Sequence, residues 1–156
     1  MTLFGDQAQS GLDRAAELVE ETIEALGVEP TQARLSAEGG QRRWSLQRGS
    51  AAILIALAPP AAASRDGSIR VIARVVRLPS DDRQLAFFRR LLELNGSELS
   101  GVAFGIHGGE VVLIAERSVR DLDASEVDSM VRTIGRAADQ YDDVLAKEYG
   151  TSRSSD

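Results

Sequence analysis

Few side chains in this chain are suited to catalysis, because it contains one histidine and no cysteine. His107 precedes Gly108 and Gly109 in a segment typical of a hairpin turn, where its imidazole would project into water. A serine nucleophile needs a histidine base beside it, and the serines lie in turns, helix starts and the C-terminal tail. Without cysteine there is neither a thiol nucleophile nor a thiolate metal ligand. We therefore predict a protein with no catalytic residue.

Carboxylates and glycines likewise have structural explanations. Asp139, Asp142 and Asp143 share one face of a predicted helix. Without a histidine or a loop, these carboxylates would hold a hard cation only loosely, so we interpret them as a solvated acidic face. The glycine pairs at 39–40 and 108–109 separate strand-like segments, whereas a phosphate site needs glycines between a strand and a helix start. The sequence predicts no metal and no cofactor.

Size and charge limit the class of partner. The 156 residues are 43% hydrophobic and carry a formal net charge of −6, which fits one soluble domain with a single core. An acidic chain does not attract nucleic acid or an anionic membrane surface, so we expect neither as a partner. The N-terminus shows no signal-peptide pattern, and no apolar run approaches the roughly 18 residues of a membrane span. We expect a cytoplasmic protein.

The C-terminal third contains the clearest structural signals. Residues 101–116 alternate as two strands around the 108–109 glycine pair, which predicts a β-hairpin. Asp123 and Glu126 have the spacing of a capping box, and Leu122 and Val127 have that of a hydrophobic staple. A stripe with a period of 3.6 residues follows to about residue 145, which predicts a long helix with one buried face.

Upstream, the patterns predict a helix at 11–26, strands at 42–48, 51–58 and 69–78, and a helix over 83–94; residues 35–37 fit a short strand or a loop. The core face of the second helix is predicted to contain Leu85, Phe88, Leu91 and Leu92. The order is α-β-β-β-α-β-β-α, an α+β two-layer sandwich with a largely antiparallel sheet and three helices. We expect a flexible N-terminal arm at 1–9, a single domain at 10–150 and a disordered tail at 151–156.

One strand face departs from the usual polar outer surface of a sheet. Arg70, Ile72, Arg74 and Val76 alternate on the 69–78 strand, so apolar and cationic side chains are interleaved there. Such a face suits a protein partner, and cover by a helix or a dimer mate explains it equally well. The candidate partner-binding residues are Trp44, Leu46, Leu54, Arg70, Ile72, Arg74 and Val76. We expect aspartate at Ile72 or Val76 to abolish partner capture without unfolding the protein.

Several short segments together resemble the bacterial YbjN family, which shares its fold with type III secretion chaperones of the CesT kind. The resemblance covers roughly residues 8–150. Trp44 and the Gly49-Ser50 turn also fit it. The segments that carry it are Leu91–Asn95, Gly101–Ile106, Val111–Leu113, Asp121–Asp123, Ala138–Asp142 and Tyr149–Gly150.

The resemblance implies a non-enzymatic, homodimeric protein that holds an extended segment of a protein or peptide client against apolar patches. It supplies no catalytic residue, and its peptide contacts are not a fixed motif. Our leading hypothesis is therefore a chaperone-like, peptide-binding module. The alternative is a regulatory interaction protein of the stress or sensory type, which would have one defined partner and no client-holding activity.

Overall fold

The computed structural model describes residues 3–62 and 64–154, with side chains from Gln7 onward. The described residues form one six-stranded antiparallel sheet in the order β1-β2-β3-β4-β6-β5, and four helices, which confirms the α+β prediction. The sequence predicts three helices, and α2 is an additional one. Residues 35–37, which fit a strand or a loop in the sequence, belong to strand β1. The elements are α1 Leu3–Ala25, α2 Pro30–Ala33, β1 Arg34–Glu38, β2 Gln41–Arg48, β3 Ala51–Ala58, β4 Ser68–Arg77, α3 Asp81–Ser97, β5 Ala103–His107, β6 Glu110–Ser118 and α4 Ala124–Tyr149.

Contacts between residues divide the chain into two units, each assembled from separate stretches. The first unit comprises Met1–Leu46, Leu54–Val71 and Glu116–Val131; the second comprises Gln47–Ile53, Ile72–Ala115 and Arg132–Asp156. The single domain expected over 10–150 stays a prediction. No described helix combines the length and the apolar composition needed to cross a membrane.

Helix α1 belongs to the first unit and buries the face that its sequence predicts. The buried side chains recur at intervals of three and four residues, which is the spacing of one helix face; they are Leu12, Ala15, Ala16, Val19 and Ile23. The helix starts at Leu3 instead of near residue 11. Residues 3–9, expected to be a flexible arm, are therefore helical, and the rest of the predicted arm lies outside the described residues.

The long helix α4 begins as predicted. The Glu126 amide donates to Asp123 Oδ1 at 2.9 Å, and the Asp123 amide donates to Glu126 Oε2 at 3.1 Å. These reciprocal bonds satisfy two amides that have no partner within the helix, and they confirm the capping box. Leu122 and Val127 are both buried, as a staple across the box requires. The hydrogen bond from Ser125 Oγ lowers the pKa of the Asp123 carboxyl most, and the bond from the Glu126 amide lowers it further.

Helix α3 buries a different face from the one predicted. Its buried residues are Phe87, Leu91 and Leu94, whereas Leu85 and Leu92 are 83% and 70% exposed. Of the four residues predicted for the core, Leu91 alone is buried. The helix also continues past the expected stop at residues 95–96 and ends at Ser97.

The C-terminal tail is not disordered over its described part, contrary to our expectation. The Arg77 amide donates to the Ser152 carbonyl at 3.0 Å, and the Ser154 amide donates to the Val75 carbonyl at 3.1 Å. Arg153 forms an isolated antiparallel bridge with Val76 and binds the Asp143 carboxylate. Residues 151–154 thus run alongside the end of β4 through one isolated bridge and these hydrogen bonds. The last two residues of the predicted tail lie outside the described part.

Candidate functional site

The outward face of β4 carries the predicted arginines, and both bind carboxylates of β6. Arg70 donates to Glu116 Oε2 at 2.6 and 2.9 Å within the first unit. Arg74 lies 3.3 Å from Glu110 Oε2 within the second unit. Ile72, between the two arginines, is half-buried. The arginines of this face are exposed, but each already has an anionic partner, and the apolar side chain between them exposes only part of its surface.

Three of the seven predicted partner-binding residues are core residues. Trp44, Leu46 and Val76 are buried, so each of them exposes almost none of its side chain. Trp44 and Leu46 lie on the buried face of β2, and the exposed residues of that strand alternate with them. At the end of β4 the alternation breaks, because Val75 and Val76 are both buried. Leu54 is half-buried on β3, like Ile72 on β4.

A groove of about 540 Å³ lies in the first unit, beside α1, β1 and β2. Ala16 and Trp44 supply buried apolar surface, and Leu35 and Ala37 add exposed apolar surface. The remaining side chains are charged. They are Asp13, Glu17, Glu20, Arg34, Arg42 and Arg43. This combination is typical of protein-binding surfaces, in which apolar residues supply contact area and charged residues select the partner.

Ion pairs organise the charged walls of the groove. Arg42 binds the Asp13 carboxylate, and this hydrogen bond lowers the pKa of Asp13 below its usual value. Glu20 Oε1 accepts from the Trp44 indole Nε1 at 3.2 Å and also binds Arg34. Glu20 therefore satisfies the buried indole and holds one arginine at the groove. Exposed ion pairs add little stability, so their main effect here is to fix the positions of charged side chains.

Strand β1 forms one end of the sheet and contributes to this groove. All five of its residues are exposed. It pairs with β2 through Arg34 opposite Trp44 and Leu35 opposite Arg43, and the register shifts between Leu35 and Glu38. From the sequence alone, this segment fits a strand or a loop, and no function is predicted for it. The alternation of Leu35 and Ala37 just before a glycine pair was the signal that could have located an apolar edge strand.

The chain has one histidine, His107, and it lies beside a hairpin turn. His107 is exposed at the end of β5, where Gly108 and Gly109 take positive φ in the turn. No group of three or more acidic, histidine or cysteine side chains among the described residues could hold a metal ion.

The predicted acidic face of α4 is not simply solvated. Ser50 Oγ lies 2.8 Å from both Asp139 Oδ1 and Asp142 Oδ2, and Asp143 binds Arg153. Asp142 is itself buried. These carboxylates therefore fasten the turn before β3 and the C-terminal segment to α4 within the second unit.

A second apolar surface lies on α3 in the second unit. Leu85, Phe88 and Leu92 recur at intervals of three and four residues, and we call them the α3 stripe. Both leucines are largely exposed and Phe88 is half-buried. An exposed row of large apolar side chains on one helix face is typical of a protein interface.

An apolar groove, an exposed sheet edge and an apolar helix stripe are features of proteins that bind other proteins or peptides. The chain belongs to TY-Chap1, the family of type III secretion (YopN, CesT) and YbjN peptide-binding chaperones, whose family model matches residues 13–156. The resemblance to the YbjN family is thereby confirmed. The members of this family are described as peptide-binding chaperones.

Solved structures share the fold at low sequence identity. A chain of the ExsC–ExsE complex matches with a TM-score of 0.57 and 18% identity, over 85% of this chain and 94% of the other. A chain of the HopA1–SchA chaperone–effector complex matches with a TM-score of 0.58 and 11% identity, over 86% and 97%. A chain of the ExoT–SpcS complex from Pseudomonas aeruginosa matches with a TM-score of 0.53 and 20% identity, over 83% and 96%. No curated protein matches in sequence.

Proposed function

We propose that this protein is a cytoplasmic, non-enzymatic chaperone that binds an extended segment of a client protein in the groove beside α1, β1 and β2. The observation that carries the proposal is membership of a peptide-binding chaperone family. Two of the structures with the same fold are complexes, ExsC–ExsE and the chaperone–effector complex HopA1–SchA, which supports a protein client. The net charge of −6 argues against nucleic acid or an anionic membrane as the partner.

The groove suits an extended segment better than the outward face of β4 does. Leu35 is 41% exposed on an edge strand, where backbone hydrogen bonds and side-chain contacts are available to the same ligand. The half-buried Ile72, by contrast, lies between two arginines that are each paired with a glutamate. The β4 face remains a candidate, and a comparison of the two surfaces decides between them.

Leu35→Asp tests the groove. We expect the change to weaken client binding about ten-fold or more, equivalent to about 1.4 kcal/mol, because it places a carboxylate on the exposed edge strand that lines the groove. Val144→Asp is the matched control, since Val144 is an exposed apolar residue on α4 and the charge change is the same. The client segment is first identified by affinity capture and peptide mapping, and its synthetic peptide is then titrated by fluorescence anisotropy.

The results separate the possible surfaces and functions. Weaker binding by Leu35→Asp with unchanged binding by Val144→Asp and Ile72→Asp supports the groove. Loss of binding in Ile72→Asp alone would place the client on β4. A single folded partner, bound in fixed stoichiometry and unaffected by Leu35→Asp, would support the regulatory interaction protein instead.

We also propose that the protein is a homodimer formed through the α3 stripe. An antiparallel pair of α3 helices centred between Phe88 and Arg89 places Leu85 of each copy opposite Leu92 of the other. In the same register Arg89 faces Phe88, a favourable cation–aromatic pair, and acidic residues face no acidic residue. The stripe is therefore complementary to itself, as an interface with two-fold symmetry requires.

The double variant Leu85→Asp/Leu92→Asp tests the dimer. Four carboxylates would meet in the pair of helices, so we expect a complete shift from twice 16.8 kDa to 16.8 kDa by light scattering. The Val144→Asp variant keeps the mass of the wild type. A wild-type protein that has the monomer mass across micromolar concentrations would contradict the proposal.

A further inference from the structure

Strand β5 is one of the two end strands of the sheet and pairs along one side with β6. Phe104 lies opposite Leu113 and Ile106 lies opposite Val111 in this register. An edge strand presents backbone N–H and C=O groups to its open side, and these groups are a template for a further strand. The state of this edge therefore affects where an extended partner can add to the sheet.

The side chain of Asn95, near the end of α3, occupies the open side of β5. The Phe104 amide donates to Asn95 Oδ1 at 2.7 Å, and Asn95 Nδ2 donates to the Phe104 carbonyl at 3.2 Å. A carboxamide carries one acceptor and one donor group. It thus makes with Phe104 the same pair of hydrogen bonds that a residue of an incoming antiparallel strand would make.

Occupation of Phe104 is sufficient to close so short an edge. Successive residues of a strand direct their N–H and C=O groups to opposite sides, so within β5 the groups of Phe104 and Ile106 point away from β6. With Phe104 bound to Asn95, Ile106 is the one outward residue of β5 that an added strand could pair with. An added strand could therefore exchange backbone hydrogen bonds with β5 at one residue instead of two.

We propose that Asn95 closes the β5 edge to strand addition and so determines which edge of the sheet an extended partner uses. The other end strand, β1, has five exposed residues and lies beside the groove. The closure of β5 stands on the Asn95 contacts alone; the direction of the client to β1 rests on the proposed function. Asn95 is also part of the Leu91–Asn95 segment that carries the family resemblance, and this contact gives that asparagine a structural role.

Amide hydrogen exchange of Asn95→Ala tests the contact directly. We expect the Phe104 amide to exchange roughly ten-fold faster, which is the loss expected for one hydrogen bond. The amides of Ala103 and Gly105, which point toward β6, keep their protection. Ser97→Ala is the matched control, because the Ser97 hydroxyl donates to the Glu93 carbonyl within α3. Unchanged exchange at Phe104 in Asn95→Ala would overturn the proposal.

Strand addition is tested with a defined peptide. The probe is a fluorescent peptide with the sequence of β6, Glu110–Ser118, because this strand is the natural antiparallel partner of β5. We expect Asn95→Ala to bind the peptide at least ten-fold more tightly than the wild type and Ser97→Ala do. Adding Ile106→Lys to Asn95→Ala should remove this gain, since an edge lysine opposes strand pairing.

Two outcomes of the peptide titration would overturn the proposal: wild-type binding as tight as that of Asn95→Ala, or no gain in Asn95→Ala although the Phe104 amide is freed. Circular dichroism checks the fold. Asn95→Ser, whose shorter side chain cannot make both hydrogen bonds with Phe104, gives a second measurement if Asn95→Ala unfolds, and we expect it to gain peptide binding as well. Neither readout uses the client, so failure of the groove proposal in Leu35→Asp would be seen separately.

Discussion

Replacing Phe87 by alanine is expected to lower the free energy of unfolding by about 3–5 kcal/mol, whereas replacing the adjacent Phe88 is expected to lower it by less than about 1.5 kcal/mol. Phe87 is fully buried, and its ring meets the ring of Tyr149 at a centroid distance of 4.9 Å and an angle of 73°. Truncation there removes this edge-to-face contact and leaves a cavity. Phe88 is half-buried, so its removal leaves a space that water can fill.

Urea denaturation followed by far-UV circular dichroism measures both free energies, and the two neighbours serve as matched controls for each other. The titrations are repeated at several protein concentrations, because a dimer through the α3 stripe would make the Phe88→Ala effect increase with concentration. Equal losses of unfolding free energy in the two variants at low protein concentration would contradict the finding that Phe87 is more deeply buried than Phe88. A larger loss in Phe88→Ala would support the core face that the sequence predicted.

Helix α3 shows why the sequence could not identify this core face. Two sets of residues have helical spacing, Leu85, Phe88 and Leu92 on one side and Phe87, Leu91 and Leu94 on the other. Periodicity establishes that a helix forms and leaves the choice of face to tertiary packing. Both sets are apolar, but one packs in the core and the other forms the exposed α3 stripe.

Elements with local determinants were predicted well. The Asp123–Glu126 capping box and the turn at Gly108 and Gly109 depend on residues within a few positions of one another, and the structure confirms both. Features that depend on distant residues were missed. Residues 151–154 could be placed beside β4 only through hydrogen bonds to Val75 and Arg77, more than 70 residues away in sequence.

The burial of the candidate site residues also depends on distant parts of the chain. Alternation identifies the two faces of a strand but not which of them the helices cover. On β4 the predicted outward face does carry the exposed Arg70 and Arg74, while Val76 departs from the alternation and is buried. The groove combines α1 with β1 and β2, and its residues come from three separated segments of the sequence.

The variant Val76→Asp is therefore expected to unfold the protein, in contrast to the expectation from sequence that it would only abolish partner capture. Val76 is fully buried beside the buried Val75, and the C-terminal bridge to Arg153 lies at the same position. A carboxylate placed there would have to remain ionised without solvent or take up a proton, and either costs free energy. We expect a loss of about 4 kcal/mol or more, a large part of the roughly 5–15 kcal/mol that stabilises a typical domain.

Ile72→Asp on the same strand is the control for Val76→Asp. Ile72 is half-buried and lies between Arg70 and Arg74, so an aspartate there keeps contact with water and gains a favourable charge environment. We expect it to remain folded, with a loss of less than about 1.5 kcal/mol. Urea titrations of the two variants measure the difference. A folded Val76→Asp with wild-type stability would show that this side chain lies on the surface, and the β4 face would then regain all four of its predicted partner-binding residues.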